Sequence, residues 1–247
     1  MAFDVLTVLR QSLRRLATGP ALIIAVVFIV FETAAALVPG RFIGVTPGII
    51  GSGAGTSPIV FAPNPLPAIA EVIVLVVGLY LSLVTIRVFA GQWGIVEREH
   101  LTHRVGFGLL NLLGIIIVMG IAMAIGLVGL AGLFGIVGLL VGTILVLVVA
   151  TIAFFAPGFI AVGDDNALKA LRKSLGVLSA SPLHVVSLLV ALLVVNVVLQ
   201  AIGVLIAGVL GPVRFLAPLV LTFFGALGTV FFLIAIARAY DQTAETA

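Results

Sequence analysis

Four polar side chains stand inside stretches that are otherwise apolar: Glu32, Glu71, Asn196 and Gln200. An ionisable group within a membrane span is costly, so by default it marks a functional site. Glu32 lies 12 residues beyond Pro20, about 18 Å along a helix, past the middle of a span. Glu71 enters its stretch from that same side, and Asn196 and Gln200, one turn apart, sit at similar depth. The four could line one outward-facing polar cavity with Arg41 or Arg214 as a counter-charge at its mouth, as a transporter or exporter component would require. Plainer readings stay open: Glu71 in water, Glu32 as a protonated or hydrogen-bonded acid, and Asn196 and Gln200 as interhelical hydrogen bonds.

A second polar group, Glu97, Glu99, His100 and His103, has i,i+3 and i,i+4 spacings that would place ligands on one helix face. The order Glu-His-Leu-Thr-His lacks the two histidines with a base between them that a zinc protease uses, so a solvated interfacial segment is expected. His184, alone beside Pro182, reads as an interface residue. GSGAGTS at 51–57 lacks the Gly-Lys-Ser/Thr ending and the flanking elements of a phosphate-binding loop. No catalytic residue, metal or cofactor is expected, and the chain does not read as an enzyme.

The elements that must position these residues follow from composition. The 247 residues are 63% hydrophobic and 9% charged, with a mean hydropathy of +1.43; a soluble domain is about a quarter charged. Apolar stretches at roughly 20–38, 68–91, 107–131, 133–160, 183–210 and 213–237 match the ~20 residues that a membrane helix needs. Runs such as IIAVVFIVF lack the alternation of a membrane β-barrel. The expected fold is all-α: six transmembrane helices as three tandem hairpins, each preceded by a cytoplasmic interfacial segment, in one integral membrane domain over 1–247. There is no cysteine, so neither disulfides nor thiol chemistry contribute. The basic residues hug the ends of the spans, which points to anionic lipid headgroups at the cytoplasmic face and away from nucleic acid.

Two stretches echo each other. LRQSLRRLATGP from Leu9 and LRKSLGVLSASP from Leu171 stay in register at an offset of 162 residues, through to Pro20 and Pro182. Leu6, Leu9, Leu13 and Leu16, like Leu168, Leu171, Leu175 and Leu178, fall at helical spacing, predicting one apolar stripe on each helix. Arg10, Arg14, Lys169, Arg172 and Lys173 fall on the opposite faces. A short helix of this kind lies in the headgroup plane, and the proline then opens the following span. Each unit is therefore an elbow of interfacial helix (3–17 and 164–180), proline and span. Asp164 and Asp165 suit the N-terminus of the second elbow. The middle segment, EREHLTHRVG at 97–106, lacks the proline and the stripe, and reads as a degenerate unit. Arg87 and Arg238 occupy similar places near the ends of the second and sixth spans and are expected to snorkel. They complete the candidate headgroup contacts Arg10, Arg14, Arg87, Lys169, Arg172, Lys173 and Arg238.

Ten of the twelve Lys and Arg residues lie on one side of these spans, leaving Arg41 and Arg214 on the other. The positive-inside rule places both termini in the cytoplasm of a cell (inner) membrane protein. RRLATGPALII has part of a secretory signal's pattern, but Glu32 and the internal echo favour a retained span. The outside segment 39–67 holds six of the eleven prolines; it reads as a loop touching lipid heads or as a lid. Gly126, Gly129, Gly132, Gly135, Gly138 and Gly142 suggest close helix packing, or a hinge beside a pathway.

APGFIAVGDDNALKALRKSLGVLSASP at 156–182 resembles the signature of a prokaryotic family of hexahelical membrane domains. That family includes the membrane portion attached to some glycerophosphodiester phosphodiesterases and stand-alone members of unknown function. The resemblance covers about 27 residues and implies a membrane module without activity, since the phosphodiesterase chemistry of such proteins resides in a separate soluble domain; it supplies no catalytic residues. The expected function is a non-catalytic multi-pass protein that organises lipid or partner proteins.

Overall fold

The computed structural model describes residues 4–36, 65–90, 98–209 and 216–244. The helices in chain order are α1 (Val5–Leu16), α2 (Gly19–Ala36), α3 (Pro65–Phe89), α4 (Arg98–Thr102), α5 (Val105–Met123), a π-helical segment (Ala124–Leu130), α6 (Ala131–Ala153), α7 (Ala156–Ala161), α8 (Ala167–Ala180), α9 (Pro182–Val209) and α10 (Leu216–Ala244). No strand occurs among the described residues.

Local chemistry sets the two elbows. Asp4 caps α1, its carboxylate accepting from the Leu6 N–H at 3.0 Å and the Thr7 hydroxyl at 2.6 Å. Asn166, 162 residues on, caps α8 by accepting from the Lys169 N–H at 2.9 Å. Such caps satisfy orphan N–H groups of a first turn. The chain bends by 77° between α1 and α2, with Pro20 in the first turn of α2. Pro182 opens α9 directly, because α8 runs two residues longer than α1.

The middle of the bundle is α10, which packs against α1, α2, α3, α7 and α9. Phe28 of α2, Leu83 and Phe89 of α3, Phe155, Leu188 of α9 and Ile234 of α10 are fully buried. The outward faces of α5, α6 and α9 stay apolar, with Leu110, Ile117, Ile136, Val197 and Leu205 exposed. Helices with apolar outer faces are built for hydrocarbon, and membrane residence follows.

Among the described residues, four helical runs are long and apolar enough to cross a membrane: Ile69–Phe89, Val105–Ala161, Pro182–Val209 and Leu216–Thr243. There are five if α1 and α2 form one broken span. The six separate spans of the sequence reading reduce to four or five because α2 is short and because α5 to α7 pass as one run of 57 residues. Straight, that run would extend about 86 Å, far beyond a hydrocarbon core of about 30 Å. It turns back instead. A β-carbon on Gly142 would collide with the Gly126 carbonyl, and one on Gly138 with that of Leu130. Gly135 makes the reversal in the left-handed region, with φ of 59°. The glycines thus divide: Gly126, Gly138 and Gly142 allow backbone contact, Gly135 the turn, and Gly132 faces open space.

The single leucine stripe is corrected. Leu6, Leu13, Leu168 and Leu175 are exposed, whereas Leu9, Leu16, Leu171 and Leu178 are half-buried against the core. The buried face is Val8 and Ser12 on α1 and Ala170 and Ser174 on α8, all 0% exposed. Small residues win that face because each elbow lies directly on the ends of other helices, too close for leucine. Of the outside segment placed at 39–67, residues 39–64 lie outside the described residues, as do Arg41, Glu97 and Arg214, so the lid and mouth readings do too.

Candidate functional site

The polar chemistry of the described residues gathers at the elbow end of the bundle. From residue 4 to 18 and from 166 to 180, the two elbows bury, half-bury and expose the same positions, save that Thr7 and Gln11 are half-buried where Lys169 and Lys173 are exposed. On each, an exposed arginine stands between two exposed leucines: Arg10 between Leu6 and Leu13, and Arg172 between Leu168 and Leu175. Arg14 is exposed beside Leu13. These three arginines form no ion pair among the described residues.

Of the other four candidate headgroup cations, Arg87 and Arg238 are turned inward, while Lys169 and Lys173 are exposed but paired with a buried carboxylate. Arg87, expected to snorkel, is 5% exposed. Its Nε donates to the Ala161 carbonyl at 2.7 Å and one Nη to the His103 carbonyl, while the second Nη lies 3.9 Å from Asp164. It thus ties α3 to the end of α7 and to the connection before α5. Asp164 also meets His103 Nε2 at 2.8 Å and Arg104 at 3.8 Å. Both Arg104 and Asp164 adopt left-handed backbone, with φ of 38° and 51°, so the two segments that meet at Arg87 are each sharply turned. Arg238 donates to the Gln11 side-chain oxygen at 2.9 and 2.7 Å and to Asp241 at 2.5 Å, which fastens α10 to elbow one. Arg15 donates to the Phe89 carbonyl at 3.0 Å.

Lys169 and Lys173 grip one carboxylate. Asp165, 2% exposed, receives Lys169 Nζ at 2.7 Å and Lys173 Nζ at 2.5 Å, one on each oxygen. Asn166, rather than either aspartate, caps α8; the two acids serve other partners. Burial pushes the Asp165 carboxyl up, but the hydrogen bonds and charges of the two lysines outweigh it and hold its pKa below the ordinary 3.8. Lys173 also lies 5.4 Å from the centre of the Phe159 ring, which stacks edge-on with Tyr240.

Three further residues at this end were not singled out from sequence. Asn111 of α5 accepts from the Ala167 N–H at 2.7 Å, docking the start of elbow two. It is the one polar side chain within α5, and that was the available signal. Ser174 donates to the Ile152 carbonyl near the end of α6, and Gln11 receives Arg238. Their partners are 56, 22 and 227 residues away, beyond the reach of spacing rules.

The four polar residues of the apolar stretches behave differently. Asn196 and Gln200 turn towards α10: the Asn196 Oδ1 lies 3.4 Å from where a β-carbon on Gly228 would sit, and the Gln200 Nε2 3.8 Å from that of Gly225. Glu32 and Glu71 are half-buried, and each has an interaction partner. No group of three or more His, Asp or Glu residues able to hold a metal occurs among the described residues.

A family model described as a domain of unknown function (DUF7847) matches residues 3–243. The match carries no link to the membrane portions of glycerophosphodiester phosphodiesterases. No curated protein and no solved structure matches the chain.

Proposed function

The chain belongs to the family of the domain of unknown function DUF7847, and from that premise we propose a non-catalytic multi-pass protein that organises anionic lipid, and with it partner proteins, at the cytoplasmic face of the inner membrane. The observation that carries this reading is the outward side of the two elbows, where Arg10, Arg14 and Arg172 stand among exposed leucines. A cation flanked by exposed leucines suits neither bulk water nor a bundle interior; it suits the boundary between phosphate and acyl chain. The positive-inside bias orients the elbows and both termini to the cytoplasm. Six crossings follow if α2, α5 with its π segment, and α6 each span, and the common burial pattern of the elbows supports tandem elbow-and-hairpin units.

A transport pathway draws less support. Asn196 and Gln200 face glycines of a packed neighbour, the usual setting of an interhelical polar contact.

Trp93 is the chain's one tryptophan and reports on nearby lipid by energy transfer to a dansyl headgroup label. In phosphatidylcholine vesicles, transfer to dansyl-phosphatidylglycerol should exceed transfer to dansyl-phosphatidylcholine. Replacing Arg10, Arg14 and Arg172 together by Gln should bring the two close to parity. Equal transfer in the unmodified protein, or a preference untouched by the triple change, would contradict the proposal.

A further inference from the structure

Elbow two has one outward arginine where elbow one has two. Arg10 and Arg14 are both exposed on α1, but the positions 162 residues on hold Arg172 and Gly176. The missing cation has a substitute one turn in the other direction. Around a helix of 3.6 residues per turn, Arg14 lies about 40° from Arg10, and Lys169 lies about 60° from Arg172 in the same sense. Lys169 is 63% exposed and borders Leu168, itself 71% exposed.

Lys169 is also the cation that Asp165 can spare. A carboxylate as buried as Asp165 must keep a partner, and it has two. Lys173 is held twice, by the carboxylate and by the Phe159 ring. For Lys169 the contact described is with the carboxylate alone. Lys169 is exposed and stays hydrated whichever anion it faces, and Lys173 keeps the buried carboxylate paired when Lys169 leaves it; near an anionic headgroup Lys169 gains attraction.

We infer that elbow two binds the phosphate of an anionic glycerophospholipid between Arg172 and Lys169. Lys169 turns from Asp165 to the headgroup, and Lys173 stays on the carboxylate. The inference rests on the elbows being headgroup anchors, and it deepens that reading by naming a second seat and its ligand. It also gives the lysine pair a division of labour: one holds the fold, the other is exchanged.

The chain makes the test simple, since Lys169 and Lys173 are its only lysines. Reductive ¹³C-dimethylation keeps their charge and gives each lysine its own NMR signals, assigned with K169R. The labelled protein is compared in nanodiscs of phosphatidylcholine alone and of phosphatidylcholine with phosphatidylglycerol. The expected result is a shift of the Lys169 signals on adding phosphatidylglycerol, reduced several-fold by R172Q, with Lys173 unmoved. A stationary Lys169, or a Lys173 that moves as far, overturns the inference. So does an equal shift from inorganic phosphate in phosphatidylcholine nanodiscs, which would make the ligand a free anion. If Lys169 is stationary while Trp93 still prefers phosphatidylglycerol through Arg10 and Arg14, the second seat fails and the anchor reading stands; loss of that preference removes both.

Discussion

Elbows one and two share a burial pattern but are fastened by different chemistry. Elbow one is held from the side by hydrogen bonds that its own polar residues make to helix ends, Arg238 on Gln11 and Arg15 on the Phe89 carbonyl. Elbow two is held at its entrance, where Asp164, Asp165 and Asn166 stand together and Arg87 and the lysines converge on the acids. A buried face of small residues at fixed spacing is therefore enough to place such a helix on the bundle, while the charges that secure it are free to differ. The outward faces, with arginine between leucines, are the part both elbows keep.

The largest expected effect comes from removing the buried guanidinium at elbow two. Arg87→Ala leaves the Ala161 and His103 carbonyls without their donor and should lower stability by about 3 kcal/mol, read as unfolding in mixed micelles of rising SDS fraction. Arg238→Ala, the counterpart at elbow one, removes a partly exposed contact and should cost about 1.5 kcal/mol. Equal losses would erase the distinction between the two fastenings.

The serines sharpen it further. Ser174 reaches across to a carbonyl at the end of α6, where the last carbonyls of a helix have no partner of their own. Ser12 donates to the Val8 carbonyl of its own helix, which the backbone already uses. Ser174→Ala should cost about 1 kcal/mol and Ser12→Ala only a few tenths, measured in the same titration.

A further effect depends on acid. Asp165 has a lowered pKa, so its ion pairs contribute fully above 3.8, the ordinary value, and that contribution is lost as pH falls through the lower folded value. Asp165→Asn should therefore reduce stability at pH 7 and remove part of the loss that the unmodified protein shows in strong acid. A variant with an unchanged acid profile would mean that the carboxylate is not ionised against the lysines.

The apolar runs and the two prolines made the helices and the elbows legible, because hydropathy and period are local properties. The pairing of Leu9 with Leu171 was readable as an offset. Which face of the elbow is buried was not, since a leucine stripe and a Val8–Ser12 face satisfy the same helical period, and only the closeness of the underlying helix ends selects the smaller residues. Arg87 read as a snorkelling residue because its site is built from backbone carbonyls, which have no sequence signature. The reversal at Gly135 was hidden among six similar glycines.

The central claim is that the exposed leucines of both elbows sit in lipid at headgroup depth. A chain without cysteine allows single spin labels at Leu6, Leu13, Leu168 and Leu175, with collision rates measured in vesicles against oxygen and against a water-soluble nickel complex. The account predicts all four labels more accessible to oxygen than to nickel, at a common shallow depth. Labels open to nickel and shielded from oxygen on either elbow would place that helix in water and contradict it.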